Sequence, residues 1–144
     1  MGRHKIIPFD RGSSEYEQVR TQTKWEKHHL KHRWRLDHLF AMAKSRAKNK
    51  KEDFLLSKDN VYSVWDEQEG LCAITGRRLD LTMSKQFNRN PHGPSIDKID
   101  PSKEYSKENI RLVTTQVNGA LNVFGYELFL KMCQEAITYN KDTN

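Results

Sequence analysis

Between residues 95 and 122 the spacing of apolar residues changes from that of a strand to that of a helix, and few small folds satisfy both patterns in so short a stretch. Ser95, Ile96, Asp97, Lys98 and Ile99 read as a strand, anchored by Ile96 and Ile99. Pro101 ends it, and PSKEYSKEN is a turn-rich loop. Ile110, Arg111, Leu112 and Val113 form a second short strand. Thr114 or Thr115 then suits the cap of a helix that runs through Val117 and Leu121. Gly125 breaks that helix, and a final helix is expected with Tyr126, Phe129, Leu130, Cys133 and Ile137 on its buried face. The order strand, loop, strand, helix is a ββα unit, followed by a packing helix.

The chain before this unit is patterned more simply. A helix is expected over residues 33–49, with Leu36, Leu39, Phe40, Ala43 and Ala47 on one stripe. Arg33, Arg35, Lys44, Arg46, Lys48 and Lys50 lie mostly off that stripe, which suits a phosphate backbone as well as an ordinary solvated face. Phe54, Leu55 and Leu56 are a short apolar stretch, and Ser57 suits the cap of a helix that carries Val61, Val64 and Trp65 and ends near Gly70. Leu71, Cys72, Ala73 and Ile74 read as a strand, Thr75 and Gly76 as a turn, and Leu79 and Leu81 as a returning strand. Residues 82–94 are a loop by composition, and residues 1–30 read as an extended arm with a helical end. A chain of 144 residues has room for one compact domain. Within it the reading separates a basic, mainly helical arm over residues 1–52 from a site-bearing part over residues 53–144.

Charge points to the partner. The net charge is +6, but residues 1–52 hold fourteen Lys and Arg against six Asp and Glu, a net of +8, while the rest of the chain nets −2. Such asymmetry suits a polyanion, because Lys and Arg that neutralise phosphates release counterions. DNA is the expected partner. RNA ranks lower, because the aromatic pattern of a single-strand platform is missing. No apolar run is long enough to span a membrane, and the N-terminus has no apolar signal core, so a cytoplasmic setting is expected. Cys72 and Cys133 are too few and too far apart for a disulfide framework. Both are read as small, reduced, apolar residues.

Few polar groups in the ββα unit could serve chemistry. Asp97 lies on the first strand. Asn118 lies in the first turns of the helix, and Asn122 one turn later on the same face. A hard cation such as Mg²⁺ takes oxygen ligands and keeps several waters, so one carboxylate with one or two amide oxygens is a workable protein share. Asn118 could equally satisfy backbone groups near the helix start. Asn109, just before the second strand, can hydrogen-bond across the preceding loop and hold both strand ends.

The segments AKSRAKNKKEDFLLS, VWDEQEGLCAITG, PSIDKID and EYSKENIRLVTTQVN carry a resemblance. From about Ala43 to Asn122 the chain resembles phage-type HNH endonucleases of the ββα-metal superfamily. The resemblance implies an α+β fold: a ββα-metal (His-Me finger) nuclease core, a helical basic N-terminal region and a C-terminal packing helix. It implies hydrolysis of DNA phosphodiester bonds with Mg²⁺, Mn²⁺ or another divalent metal. Asp97 matches the metal-binding position of the first strand, Asn109 the middle Asn that fixes the loop, and Asn118 the final metal ligand. Asn122 stands where some members carry a further ligand. Arg77, Arg78, Lys98, Arg111 and the basic helix would hold phosphates. By analogy the protein would act in a bacterial host, from a phage or prophage. One site per chain implies a nick, and a homodimer or two nicks would be needed to cut both strands.

The chain departs from the family at two places. Most members carry a His as general base directly after the strand ligand, and Lys98 stands there instead. Lysine is charged at neutral pH and a poor base by default. His92, five residues before Asp97, is the leading substitute, with Asp100 behind it. The rival reading is therefore a DNA-binding module on the same scaffold with no catalysis. Zinc-bearing members hold two Cys-x-x-Cys pairs, whereas Cys72 has Thr75 where a second cysteine would stand, so no structural zinc is expected. His28, His29 and His32 read as part of a basic DNA-contacting helix rather than as a metal site.

Overall fold

The computed structural model describes the backbone of residues 15–81 and 89–143, and the side chains of residues 33–81 and 89–143. It is a mixed α/β protein. Among the described residues it has four α-helices and one two-stranded antiparallel sheet, in the order α1 (Glu15–Lys50), α2 (Lys58–Glu67), β1 (Pro94–Lys98), β2 (Ile110–Thr114), α3 (Thr115–Leu121) and α4 (Tyr126–Asp142). A single 3₁₀ turn, Lys107–Asn109, precedes β2. The chain divides into two compact units, residues 1–38 and 39–144, with the boundary inside α1. The composition boundary at residue 52 falls within the second unit.

Helix α1 corrects the expectation of an extended arm from residue 15 onward. No Gly or Pro occurs between residues 13 and 50, and Glu, Gln, Arg, Lys and Ala are frequent there, so nothing stops a helix once it has begun. Residues 1–14, the side chains of Trp25, His28, His29 and His32, and most of the 82–94 loop lie outside the described residues. The stripe expected at helical spacing is present in the second unit: Leu39, Ala43 and Ala47 are all buried. The helix closes on Lys51, which adopts a left-handed φ of 58°. Glu52 N–H donates to Ala47 O (2.8 Å) and Lys51 N–H to Lys48 O (3.1 Å), the double bond of a Schellman ending.

Helix α2 starts at Ser57 as its sequence implies. Ser57 Oγ accepts from Asn60 N–H (3.2 Å) and Asn60 Oδ1 accepts from Ser57 N–H (2.9 Å), which satisfies two donors that the first turn otherwise leaves bare. Its buried residues are Val61, Val64 and Trp65. At the far end Gly70 has a φ of 70°, and a Cβ there would lie 3.1 Å from the Trp65 ring. Glycine is therefore required on both counts.

Residues 71–79 form a knuckle rather than the two strands expected. Leu71 and Arg78 make one isolated bridge, Cys72 N–H donates to Arg77 O (2.8 Å), and Gly76 N–H donates to Cys72 O (2.9 Å). The turn at Thr75 and Gly76 is so tight that no further ladder fits between its arms.

The β1–β2 ribbon places the site. Its register pairs Pro94 with Thr114, Ser95 with Val113, Ile96 with Leu112, Asp97 with Arg111 and Lys98 with Ile110. Alternation sends Pro94, Ile96, Lys98, Ile110, Leu112 and Thr114 to one face, and Ser95, Asp97, Arg111 and Val113 to the other. The outer edge of β2 is closed by a side chain. Gln68 accepts from Leu112 N–H (2.9 Å) and donates to Leu112 O (2.9 Å), which also accepts from Ala73 N–H (3.0 Å). An edge satisfied in this way offers no template to another strand.

Helix α3 is capped by Thr114, whose Oγ1 accepts from Val117 N–H (3.2 Å). It closes the core with Val117 and Leu121. The buried face expected of α4 is absent, since none of its residues is buried. Phe129 and Cys133 are half-buried, and the rest of the helix is exposed.

Candidate metal and nucleic-acid site

Two residues at the same period on β1 and one on α3 converge on one side of the ribbon. Asn118 Nδ2 donates to Ser95 Oγ (2.7 Å) and makes a longer contact with Ile96 O (3.4 Å). A carbonyl can only accept, so the nitrogen of the amide is the atom that faces the strand. Oδ1 is thereby turned away from β1, and no described residue donates to it. Ser95 and Asp97 share that face, two residues apart. Sequence reasoning missed Ser95. The signal was available, because residues two apart on a strand project to the same side.

Asp97 is already paired. Its Oδ2 accepts from Arg111 Nε at 2.8 Å, directly across the ribbon, and the two side chains are 10% and 18% exposed. Burial pushes the Asp97 carboxyl up, while the hydrogen bond and charge of Arg111 pull it down; burial wins, and the group titrates above the ordinary carboxylate range. Arg111 also lies 5.8 Å from the centre of the Tyr126 ring at the start of α4. A cation over an aromatic face is held by the ring quadrupole. Arg111 is thus oriented from two sides.

The loop between the strands is tied by Asn109. Its Oδ1 accepts from Asp100 N–H (2.9 Å), and its Nδ2 donates to Asp100 O (3.0 Å) and Glu104 O (2.9 Å). One buried side chain therefore binds both ends of the loop. Asp100 turns outward and accepts from Ser102 Oγ (2.7 Å) and Ser102 N–H (3.0 Å), which holds its carboxyl below the ordinary range.

Other expected site residues lie elsewhere. Lys98, next to Asp97, projects to the opposite face. There its Nζ pairs with Glu52 Oε2 (3.0 Å) and sits 4.9 Å from the centre of the Tyr105 ring. Phe54 lies at a tilt to the Tyr105 ring, with centres 5.4 Å apart, and meets Phe40 edge-on at 5.4 Å. Lys98 belongs to that aromatic cluster, and the ribbon does not bring it to Asp97 and Asn118. Asn122 ends α3 with a φ of 42° and is exposed.

His92 stands in a turn that is built rather than loose. Asn90 Oδ1 accepts from His92 N–H (3.0 Å), Asn90 Nδ2 donates to Asp80 Oδ2 (2.9 Å), and His92 O accepts from Asp80 N–H (2.9 Å). Pro91 O and Gly93 O accept from the first N–H groups of α3, at Gln116 (3.0 Å) and Thr115 (2.8 Å). These bonds fix the turn to the helix and leave those donors unavailable to a phosphate. His92 Nδ1 is buried with no hydrogen-bond partner. Among the described residues no hydrogen bond links His92 to Asp97 or Asn118. Pro94 and Asp97 alone are about 10 Å apart along the strand, three residues at about 3.3 Å each.

The donor set that a divalent ion would meet is one carboxylate oxygen of Asp97 and Oδ1 of Asn118. Both are hard oxygens of the kind such an ion takes with water completing its shell, and Asn118 would turn its amide over to bring Oδ1 to the strand that carries Asp97. Among the described residues no three His, Cys, Asp or Glu side chains gather in one place, and a site of one carboxylate and one amide falls outside that kind of cluster. Cys72 is buried in the knuckle. Burial raises its thiol, but hydrogen bonds from the Thr75 side chain and from the backbone at Thr75, Ile74 and Thr114 outweigh that and hold it below its ordinary value.

Exposed cations surround this unit. Lys44, Arg46 and Lys48 line the outer face of the C-terminal part of α1, and Arg77 and Arg78 stand on the knuckle. Within the first unit Arg33 is exposed and Arg35 is half-buried. Among the described residues no helix is long and apolar enough to cross a membrane. No family model, no curated protein and no solved structure matches the chain.

Proposed function

We propose that the protein is a divalent-metal-dependent endonuclease of the HNH type, with a ββα-metal core formed by β1, β2 and α3, that nicks DNA. The observation that carries this reading is that Asp97 and Ser95 share one face of the ribbon and Asn118 of α3 bonds to Ser95 on that face, with Asn109 tying the loop between the strands. The resemblance of residues 43–122 to such enzymes assigns roles to the same three positions.

In this reading Asp97 and Asn118 hold the ion, and Asn122 is close enough in sequence to add a contact through water. A bound divalent ion supplies positive charge to the scissile phosphate and to the leaving oxygen. Arg111 turns from Asp97 to a phosphate oxygen, its guanidinium still steadied by Tyr126. Asn109 keeps the strand ends at a fixed separation. Lys44, Arg46, Lys48, Arg77 and Arg78 hold the flanking backbone, which gives affinity without base readout. His92 is the candidate for activating water.

A second reading is a DNA-binding module without catalysis. The observation in its favour is that Asp97 is already neutralised by Arg111, while the position that carries the usual base is a lysine buried on the other face. Supercoiled plasmid, incubated with purified protein and Mg²⁺, Mn²⁺ or EDTA, separates the two. Nuclease action converts the plasmid to open circles, and EDTA, Asp97→Ala or Asn118→Ala stops it. A His92→Ala lane tests the base. Protein that retards the plasmid in a gel but leaves it supercoiled with either metal supports the second reading.

A further inference from the structure

Helix α4 presents an apolar stripe that no described residue of its own chain buries. Leu128, Met132, Ala136 and Tyr139 recur at intervals of four, four and three, so they share one face of the helix. Leu128 is 56% exposed, Met132 52% and Tyr139 70%, and Ala136 is exposed between them. Val123 and Phe124, just before the helix, are 73% and 63% exposed. Isolated exposed apolar residues are ordinary, but a continuous stripe of this kind marks a contact surface.

We propose that this face pairs with the same face of a second copy, the two α4 helices running antiparallel about a two-fold axis between Cys133 and Gln134. Charge chooses both the occupant and the direction. Lys131 and Glu135 flank the stripe on the same side, one helical turn apart, and among the described residues neither pairs with a group of its own chain. An isologous contact requires that if one residue meets another, the reverse contact also forms. With the axis between positions 133 and 134, Leu128 stands level with Tyr139 of the second copy, and Met132 stands within one residue of Ala136. Lys131 stands within one residue of Glu135 of the second copy, and the same bridge forms twice. In a parallel pair the two-fold would send Lys131 and Glu135 of the two copies to opposite edges of the contact, where this bridge does not form, so the antiparallel arrangement is the favoured one.

A pair of helices of 17 residues, each about 25 Å long, covers less surface than the roughly 800 Å² per partner of stable complexes. The dimer therefore forms and separates with protein concentration. The proposal stands whether or not the chain cuts DNA.

Sedimentation equilibrium over a concentration series into the millimolar range tests it, with circular dichroism to check that each variant stays folded. Wild type is expected to move from monomer to dimer. Met132→Glu is expected to remain monomeric throughout. Lys131→Glu alone, and Glu135→Lys alone, are each expected to raise the dissociation constant about tenfold, since two pairs become repulsive at once. The double variant Lys131→Glu with Glu135→Lys restores the opposition of charges and is expected to recover most of the wild-type affinity. Wild type that stays monomeric at every concentration overturns the proposal. So does a dimer indifferent to Met132→Glu, or one that the double variant fails to rescue, because each places the contact elsewhere or gives it another direction.

Discussion

The two faces of the β1–β2 ribbon are made from alternate residues of the same ten positions, yet they answer to different constraints. On one face Pro94, Ile96, Ile110 and Leu112 are buried against the core, and Lys98 is drawn in with Glu52 and the Tyr105 ring. On the other, only Val113 is a buried hydrocarbon, while Asp97 bonds to Arg111 and Ser95 to Asn118 of α3. The first face holds the ribbon in the protein. The second contributes polar pairs rather than hydrocarbon burial.

The largest expected effects test that contrast directly. Leu112 is wholly buried, and Leu112→Ala removes three carbons, a methine and two methyls, at an expected cost of about 3 kcal/mol in urea unfolding. Asp97→Asn keeps the shape of the side chain and loses its charge. Its expected cost is about 1 kcal/mol, because burial already disfavours the ionised carboxyl and the amide oxygen of Asn can still accept from Arg111. Metal-dependent nicking, by contrast, should vanish in Asp97→Asn. If Asp97→Asn destabilised the protein as much as Leu112→Ala does, the polar face would be a structural one and the contrast would break.

Lys98 sharpens the comparison from the other side. In Lys98→Met the hydrocarbon part of the side chain is kept, the pair with Glu52 is lost, and Glu52 at 31% exposure can turn to water. A loss of about 1 kcal/mol is expected. Nicking should remain near the wild-type rate. A large loss of activity with unchanged stability would return Lys98 to the site and show that the ribbon rearranges when DNA binds.

Much of the ribbon was legible in advance. Ile96, the turn-rich loop and the Thr before Val117 located both strands and the cap of α3 to within a residue or two, but Ile99, expected to anchor β1 in the core, lies past the end of the strand and is 49% exposed. The stripe of Leu39, Ala43 and Ala47 was equally clear, because helical spacing and burial coincide there. The side to which Lys98 points was also readable, since adjacent strand residues face opposite ways, but the resemblance drew attention to its neighbour's chemistry and away from that rule. Two features were not legible. The length of α1 depends on the absence of breakers, which no positive motif announces. The exposure of α4 depends on what the rest of the chain can reach, and apolar periodicity tells only that a face needs cover, not that its own chain provides it. Glu52 and Gln68 were invisible for a related reason, as their partners lie 46 and 44 residues away.

The smallest expected effect concerns the two carboxylates at either end of the same turn of chain. Asp97 titrates above its ordinary value because burial outweighs Arg111, so the folded protein holds that proton more tightly than the unfolded chain does. Its contribution to stability is present at low pH and is lost as pH rises through the raised value. Asp100 titrates below its ordinary value because Ser102 donates to it twice, so its contribution is present above the ordinary carboxylate range and is lost as pH falls through the lowered value. The two slopes oppose each other in the acid range. Asp97→Asn removes the falling slope, and stability in EDTA should then climb more steeply with pH than in wild type. Asp100→Asn removes the rising slope and should flatten the same curve. Urea unfolding at a series of acid pH values reads both. Equal curves for the two variants would mean that Asp97 is as open to water as Asp100, and the polar face of the ribbon would then have no enclosed site to offer an ion.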